Sequence, residues 1–219
     1  MPVIVEIVIL AMIAAFLGMR LYSVLGRRAE HEEEIVPKGY ELGEERQPQS
    51  APAPVAELVR NERQIAGFPP AIEQGLREIS AVDRRFDLLT FLEGAKGAYG
   101  MVLEAFWRGD KEELKQLCDD DVYASFVAAI DAREKAGETL ENRLVRIEDT
   151  TVHSAVLEGR MARIAVRFVA DIAALTRDKD GNMIGGSLDD AVESRDIWTF
   201  SRDVRSADPD WLLDETDAA

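Results

Sequence analysis

A change of hydrophobic period near Gly137 constrains this chain more than any other feature of its sequence. Before it, apolar side chains recur every three or four residues; after it they alternate, so helices are expected first and strands afterwards. Ile72, Leu76, Ile79 and Val82 predict a short amphipathic helix opening at Pro69-Pro70, which either packs on the domain or lies on lipid. Phe86, Leu89, Leu92, Ala95, Tyr99, Val102 and Phe106 predict a long helix with one continuous apolar stripe. Gly94, Gly97 and Gly100 lie inside it at a cost in helix propensity, and are expected to mark a bend or the close approach of another backbone. Gly109-Asp110 ends this helix, and Asp110 caps a short one over residues 112–117. A further helix is expected over 121–138, with Val122, Phe126, Ala129 and Ile130 inward and Gly137 closing it.

Beyond Gly137, Leu144, Ile147 and Val152 mark a strand or a bent pair of strands. Ile164, Val166, Phe168, Ala170 and Ile172 give the next strand an apolar face, with Arg163, Arg167 and Asp171 on the other. Asp178-Lys179-Asp180-Gly181-Asn182 signals a turn. Its acids share the first spacings of a calcium loop, but Gly181 arrives early and no Glu closes the loop, so a hairpin turn is expected and no metal. Trp198 and Phe200 share one face of a third strand, and Asp208-Pro209-Asp210 turns the chain into a last one over 211–213. The fold class is therefore α+β, a curved antiparallel sheet wrapped on helices, over residues 71–219.

The first residues read differently. Residues 7–19 are all apolar or Gly, and the wider run 3–25 is interrupted only by Glu6, Arg20, Tyr22 and Ser23. At about 1.5 Å per helical residue this run spans the roughly 30 Å hydrocarbon core of a bilayer. A cleaved signal would need a basic start and a small-residue cleavage site, and neither is present. The run is thus expected to be a transmembrane anchor, with Ile4, Ile7, Ile9, Phe16, Leu17 and Leu21 in contact with lipid. Arg20, Arg27 and Arg28 follow it, so the positive-inside rule places the bulk of the chain in the cytoplasm of a bacterium, with residues 1–28 fixed in its inner membrane. Residues 29–70 hold most of the eight prolines and a cluster of glutamates with few large apolar side chains. Such a composition cannot offset its ordering entropy, so a disordered tether is expected, either a plain spacer or a docking peptide for a basic groove.

The net charge of -16 excludes nucleic acid as an expected partner, because phosphate recognition needs clustered Lys and Arg. Cys118 is the single cysteine, so no internal disulfide and no zinc spacing is available, and no cofactor motif is found.

Several ordered segments carry a resemblance. These are residues 91–99 (Phe-Leu-Glu-Gly-Ala-Lys-Gly-Ala-Tyr), Ala105-Phe106-Trp107-Arg108-Gly109-Asp110, Val122-Tyr123 with Phe126 and Ile130, and Ala165-Val166-Arg167-Phe168. The Asp-Lys-Asp-Gly turn, residues 196–203 (Asp-Ile-Trp-Thr-Phe-Ser-Arg-Asp) and Asp208-Pro209-Asp210-Trp211 follow in the same order. Residues 72–217 resemble the C-terminal domain of the mitochondrial inner-membrane translocase subunit 44 family. Residues 20–28 are similar to the juxtamembrane segment of bacterial, membrane-anchored relatives.

The resemblance implies a nuclear transport factor 2-like cone, and an adaptor that recruits a protein partner at the membrane, linked to protein translocation or membrane-protein assembly. The family's long basic N-terminal region, which carries chaperone and channel contacts, is replaced here by a short acidic linker, which argues against a DnaK-type chaperone as partner. In such a cone Tyr99, Phe106, Phe126, Phe168, Trp198 and Phe200 either fill a core or line a pocket for an acyl chain. The same fold class hosts small isomerases, whose chemistry needs a carboxylate in an apolar pocket. Residues of suitable type are Asp171, Asp196, Glu193, Tyr99, Tyr123 and His153, but fold alone does not confer that chemistry, and no enzyme is expected.

Overall fold

The computed structural model describes residues 64–218 with the exception of 209. The expected anchor residues, the arginines that set its topology and nearly all of the expected linker lie outside the described residues. Among the described residues no helix is long and apolar enough to cross a membrane. Ile65, which composition had assigned to the linker, is buried in the domain core, and Phe68 packs against that core.

Four helices come first. Helix α1, Pro70–Val82, opens on a proline whose fixed φ suits a first turn and whose missing N–H would have had no partner there. It buries Gly75, Leu76 and Ile79 against the sheet, while Val82, expected inward, is exposed. Helix α2, Leu88–Arg108, starts where the Asp87 side chain accepts the N–H of Thr90 at 2.9 Å and stops at Gly109, whose φ of 74° is left-handed. That start sets the phase of the helix. Its inward stripe is Leu88, Phe91, Ala95, Tyr99, Val102 and Ala105, so the expected stripe is corrected at its beginning: Phe86 precedes the helix and Leu89 is exposed. Helices α3, Lys111–Leu117, and α4, Asp120–Ala136, are capped by Asp110 and Asp119 in the same manner. Of the residues expected inward on α4, Ile130 is buried, Val122 and Phe126 are half-buried and Ala129 is exposed.

The strands are β1, Thr139–Leu140; β2, Arg143–Glu158; β3, Met161–Arg177; β4, Met183–Asp203; and β5, Leu212–Ala218. All pair antiparallel in one sheet. β3 lies at its centre, with β1 and β2 on one flank, β4 on the other and β5 outside β4. β2 is one strand rather than a pair, and three register shifts interrupt its pairing with β3, irregularities of the kind at which strands bend. On the inner face Val152 and Trp198 stand opposite Val166, and Phe200 opposite Ile164. On the outer face Arg167 pairs with Asp149 at 2.9 Å and Arg146 with Asp171 at 3.0 Å, exposed pairs of the kind that keep a surface wet and add little stability.

Helix α1 lies on β2 so closely that a Cβ at Gly75 would stand 1.9 Å from the Ala155 carbonyl oxygen. The glycines of α2 behave otherwise. A Cβ at Gly94 or Gly97 would meet nothing within 4 Å, and at Gly100 only the Leu144 side chain at 3.6 Å. The expected backbone approach at these three positions is absent among the described residues.

Candidate binding groove

Open space at Gly94 belongs to a groove of about 520 Å³. Its floor is the small-residue face of α2, Gly94, Ala95 and Ala98, ending at Met101. Its wall is aromatic: Phe86 from just before α2, Phe91 from its first turn, Phe200 from β4 and Trp211 from the approach to β5. Phe91 meets Trp211 edge-on, with ring centroids 4.8 Å apart, and Phe200 with centroids 6.1 Å apart, the arrangement favoured by ring quadrupoles. Small floor and large wall together leave apolar surface uncovered.

One end of the groove is charged. Arg202, on β4, sets its guanidinium 5.2 Å from the Trp211 ring centroid and forms an ion pair with Asp83 just beyond α1. Both side chains are almost wholly buried, at 6% and 3% exposure. Burial lowers the Arg202 guanidinium from its usual range, but Asp83 supplies the opposite charge that a buried cation requires. Arg85 at the rim donates to the Ser206 carbonyl at 3.1 Å, tying the groove's edge to the loop after β4.

The six aromatics singled out from the sequence separate into three places. Phe200 lines the groove. Tyr99, Phe168 and Trp198 form a core cluster in which Tyr99 stacks on Phe168 with centroids 4.4 Å apart. Phe106 and Phe126 pair at 5.2 Å under the Arg133 guanidinium, near the far end of α2. No local pattern marks Phe86, Phe91 and Trp211 as groove residues, because Phe86 and Phe91 lie close together in the chain while Trp211 is remote from both. The run Asp208-Pro209-Asp210-Trp211 was the one available signal, since a tryptophan just after a turn is poised to reach back over a neighbouring element.

The polar residues noted for chemistry do not meet in the groove. Tyr99 donates to Asp196 Oδ2 at 2.7 Å, and Ser194 donates to the same oxygen at 2.8 Å. Burial, then the Asp196 carboxylate, push the Tyr99 phenol well above its ordinary range, so it serves as a fixed donor. Asp171 pairs with Arg146, Glu193 bonds Arg195 at 2.7 Å, Tyr123 is half-buried against the core and His153 is exposed. Burial and the neighbouring Asp119 push the Cys118 thiol up to about 12, far from a reactive thiolate. The groove therefore offers apolar contact with charge at one end.

Asp214 on β5 is held above the usual carboxylate range by burial, partly opposed by Arg163 at 2.8 Å. A raised folded-state value means stability present below the unfolded value, near pH 3.9, and lost as pH rises through the folded one. The stability of Asp214→Asn relative to the parent chain should therefore increase between pH 3.5 and 7. Urea midpoints at both pH values check this, and a difference that shrinks would contradict it.

A family model for the Tim44-like domain matches residues 72–218. The probable mitochondrial import inner membrane translocase subunit of Caenorhabditis elegans is 24% identical over 140 residues, covering 63% of this chain and 33% of that protein. The human mitochondrial import inner membrane translocase subunit TIM44 is 24% identical over 135 residues, covering 61% and 30%. An uncharacterized protein of Rickettsia prowazekii is 24% identical over 226 residues, covering 97% of this chain and 96% of its own length. The chain thus spans about a third of the two mitochondrial relatives and nearly all of the rickettsial one.

Proposed function

This chain belongs to the Tim44-like domain family, and from that premise we propose that it is a non-enzymatic adaptor at the bacterial inner membrane. Residues 3–25 anchor it, the acidic linker that begins at residue 29 gives it reach, and the folded domain holds a protein partner near the bilayer for protein translocation or membrane-protein assembly. The relatives named as mitochondrial import translocase subunits support the link to transport, and the bacterial relative of nearly equal length supports the bacterial setting. The single observation that carries the binding role is the aromatic groove on α2. We read the sheet and helices as the cone of the nuclear transport factor 2-like folds, with the groove as its gripping face. The outer sheet face, crossed by ion pairs, suits solvent better than a partner.

Photo-crosslinking in intact membranes tests this. A photoreactive residue at Met101, on the groove, should give discrete protein adducts, and one at Arg167, on the outer sheet face, should not. Equal adducts from both positions, or none, would end the groove-docking idea. Recovery of the intact full-length chain in the wash after carbonate extraction would end the anchor.

A second reading is favoured by the groove's size, which falls within the roughly 300–1,000 Å³ usual for small-ligand sites: an acyl chain or lipid occupies it. Gly94→Leu would place a side chain in open space. The helix should hold as well or gain up to about 1 kcal/mol in propensity, while any bound lipid is lost in native mass spectra. A parent chain that carries no lipid from membrane extracts rejects this reading.

A further inference from the structure

Among the described residues ten large apolar side chains are exposed, and four of them lie within one short stretch of β4. Met183 is 61% exposed, Ile184 54%, Leu188 38% and Val192 70%. β5 covers β4 only from Asp196 to Ser201. Residues 183–195 therefore have β3 on one side and, among the described residues, no strand on the other. The register jumps from Val192 opposite Ile172 to Ser187 opposite Ala174, so residues 188–191 bulge from the ladder and split this edge into two short extended runs. An edge of this kind presents main-chain donors and acceptors to whatever extended chain arrives.

Such edges are ordinarily blunted with lysine, proline or a bulge; residues 183–195 contain no lysine or proline, and their bulge at 188–191 still leaves an extended run on either side. Their charge is acidic. Asp189 and Asp190 are exposed in the bulge, Glu193 follows, and the one cation, Arg195, bonds Glu193 at 2.7 Å. That charge discriminates among occupants. A second copy of the same edge would bring two sets of these acids together, and like charges across a strand pair are unfavourable. An anionic membrane surface would be repelled, all the more because Asp178 and Asp180 stand at the adjoining turn. A basic chain is attracted.

We propose that this half of β4 is a docking edge for an extended, Lys- or Arg-bearing segment of a partner protein, which adds as a further strand in line with β5. Main-chain hydrogen bonds supply affinity, as in other strand-addition complexes, and alternate side chains supply selectivity. Val192 and Ile184 take the partner's apolar positions, and the acids of the bulge take its cations. The site lies outside the groove and stands whether or not the groove holds anything.

The probe is a short synthetic peptide alternating valine and lysine, added to the full-length chain in nonionic detergent and followed by hydrogen exchange. It should slow exchange at residues 183–195 and leave 86–101 unchanged. Ile184→Lys with Val192→Lys, both at exposed positions, should weaken binding roughly tenfold or more. Asp189→Asn with Asp190→Asn should weaken it and flatten its salt dependence, and provides the reading if the lysine variant unfolds. The proposal is overturned if a valine–glutamate peptide protects the edge equally well, if protection appears over 86–101 instead, or if no peptide protects. It is also overturned if phosphatidylglycerol vesicles, or simply a higher concentration of the chain, slow the same amides without peptide.

Discussion

Asp83→Ala is expected to cost the domain about 3–5 kcal/mol, the usual result of removing one partner from a buried ion pair. Asp83 follows the last turn of α1, where its N–H closes on the Ile79 carbonyl at 2.9 Å. Its carboxylate accepts the Arg85 N–H at 3.0 Å and pairs with Arg202 of β4. A buried charge thus fastens the end of one helix to the sheet, and Arg202 is held beneath Trp211 by the same contact. Alanine removes the anion and leaves the guanidinium nearly dry. Domains of this size hold only about 5–15 kcal/mol in total, so much of the protein would unfold near physiological temperature. Urea denaturation measures the loss, and a value below about 1 kcal/mol would show that Arg202 is not confined as described. Asp83→Leu combined with Arg202→Met should recover most of the stability, since an apolar pair needs no counter-charge. If the double variant is as unstable as Asp83→Ala, the pair's shape rather than its charge is what matters.

Gly75→Ala should destabilise by about 1–3 kcal/mol, although alanine is the better helix former. The new Cβ would lie 1.9 Å from the Ala155 carbonyl oxygen and 3.2 Å from the Ala155 Cβ, a position that α1 must leave. Because the obstacle is backbone, no side-chain rotation relieves it. The matching control is Gly97→Ala, where nothing lies within 4 Å and the gain in propensity, up to about 1 kcal/mol, should appear unopposed. Thermal melting of both variants settles the contrast. A Gly75→Ala chain that melts at or above the parent would mean that α1 and β2 are less tightly packed than this. Hydrogen exchange should locate the damage in residues 70–82 and in β2.

Local pattern is insufficient at two places in the chain. The stripe along α2 was readable as helical, yet its phase was one position astray at the start, because Leu88 and Leu89 are equally apolar and only the cap at Asp87 decides which faces inward. β5 was expected to stop at 213 and runs to Ala218. Its outer residues, Asp214-Glu215-Thr216-Asp217, carry no apolar alternation, and their extended form comes from pairing with β4.

The groove was the least legible part. Its aromatics were present in the sequence as separate apolar positions, each explicable as core. The three glycines of α2 suggest a bend or a neighbouring backbone, yet a Cβ at Gly94 or Gly97 would meet open space and one at Gly100 only the Leu144 side chain. Nothing local distinguishes a glycine that admits a neighbour from one that leaves a hollow, since both lack a Cβ and differ only in what the rest of the chain brings alongside.

Periodicity, caps and turns were enough by themselves to determine four helices followed by antiparallel strands, because these depend on backbone geometry and on neighbours a few residues away. Residue order alone also pointed to the family. Only the tertiary structure decided that Phe86, Phe91, Phe200 and Trp211 converge over Gly94, that Asp83 meets Arg202, and that half of β4 has, among the described residues, no neighbouring strand on one side. Those outcomes depend on contacts between residues remote in the chain, and a one-dimensional pattern carries no record of which remote surfaces meet.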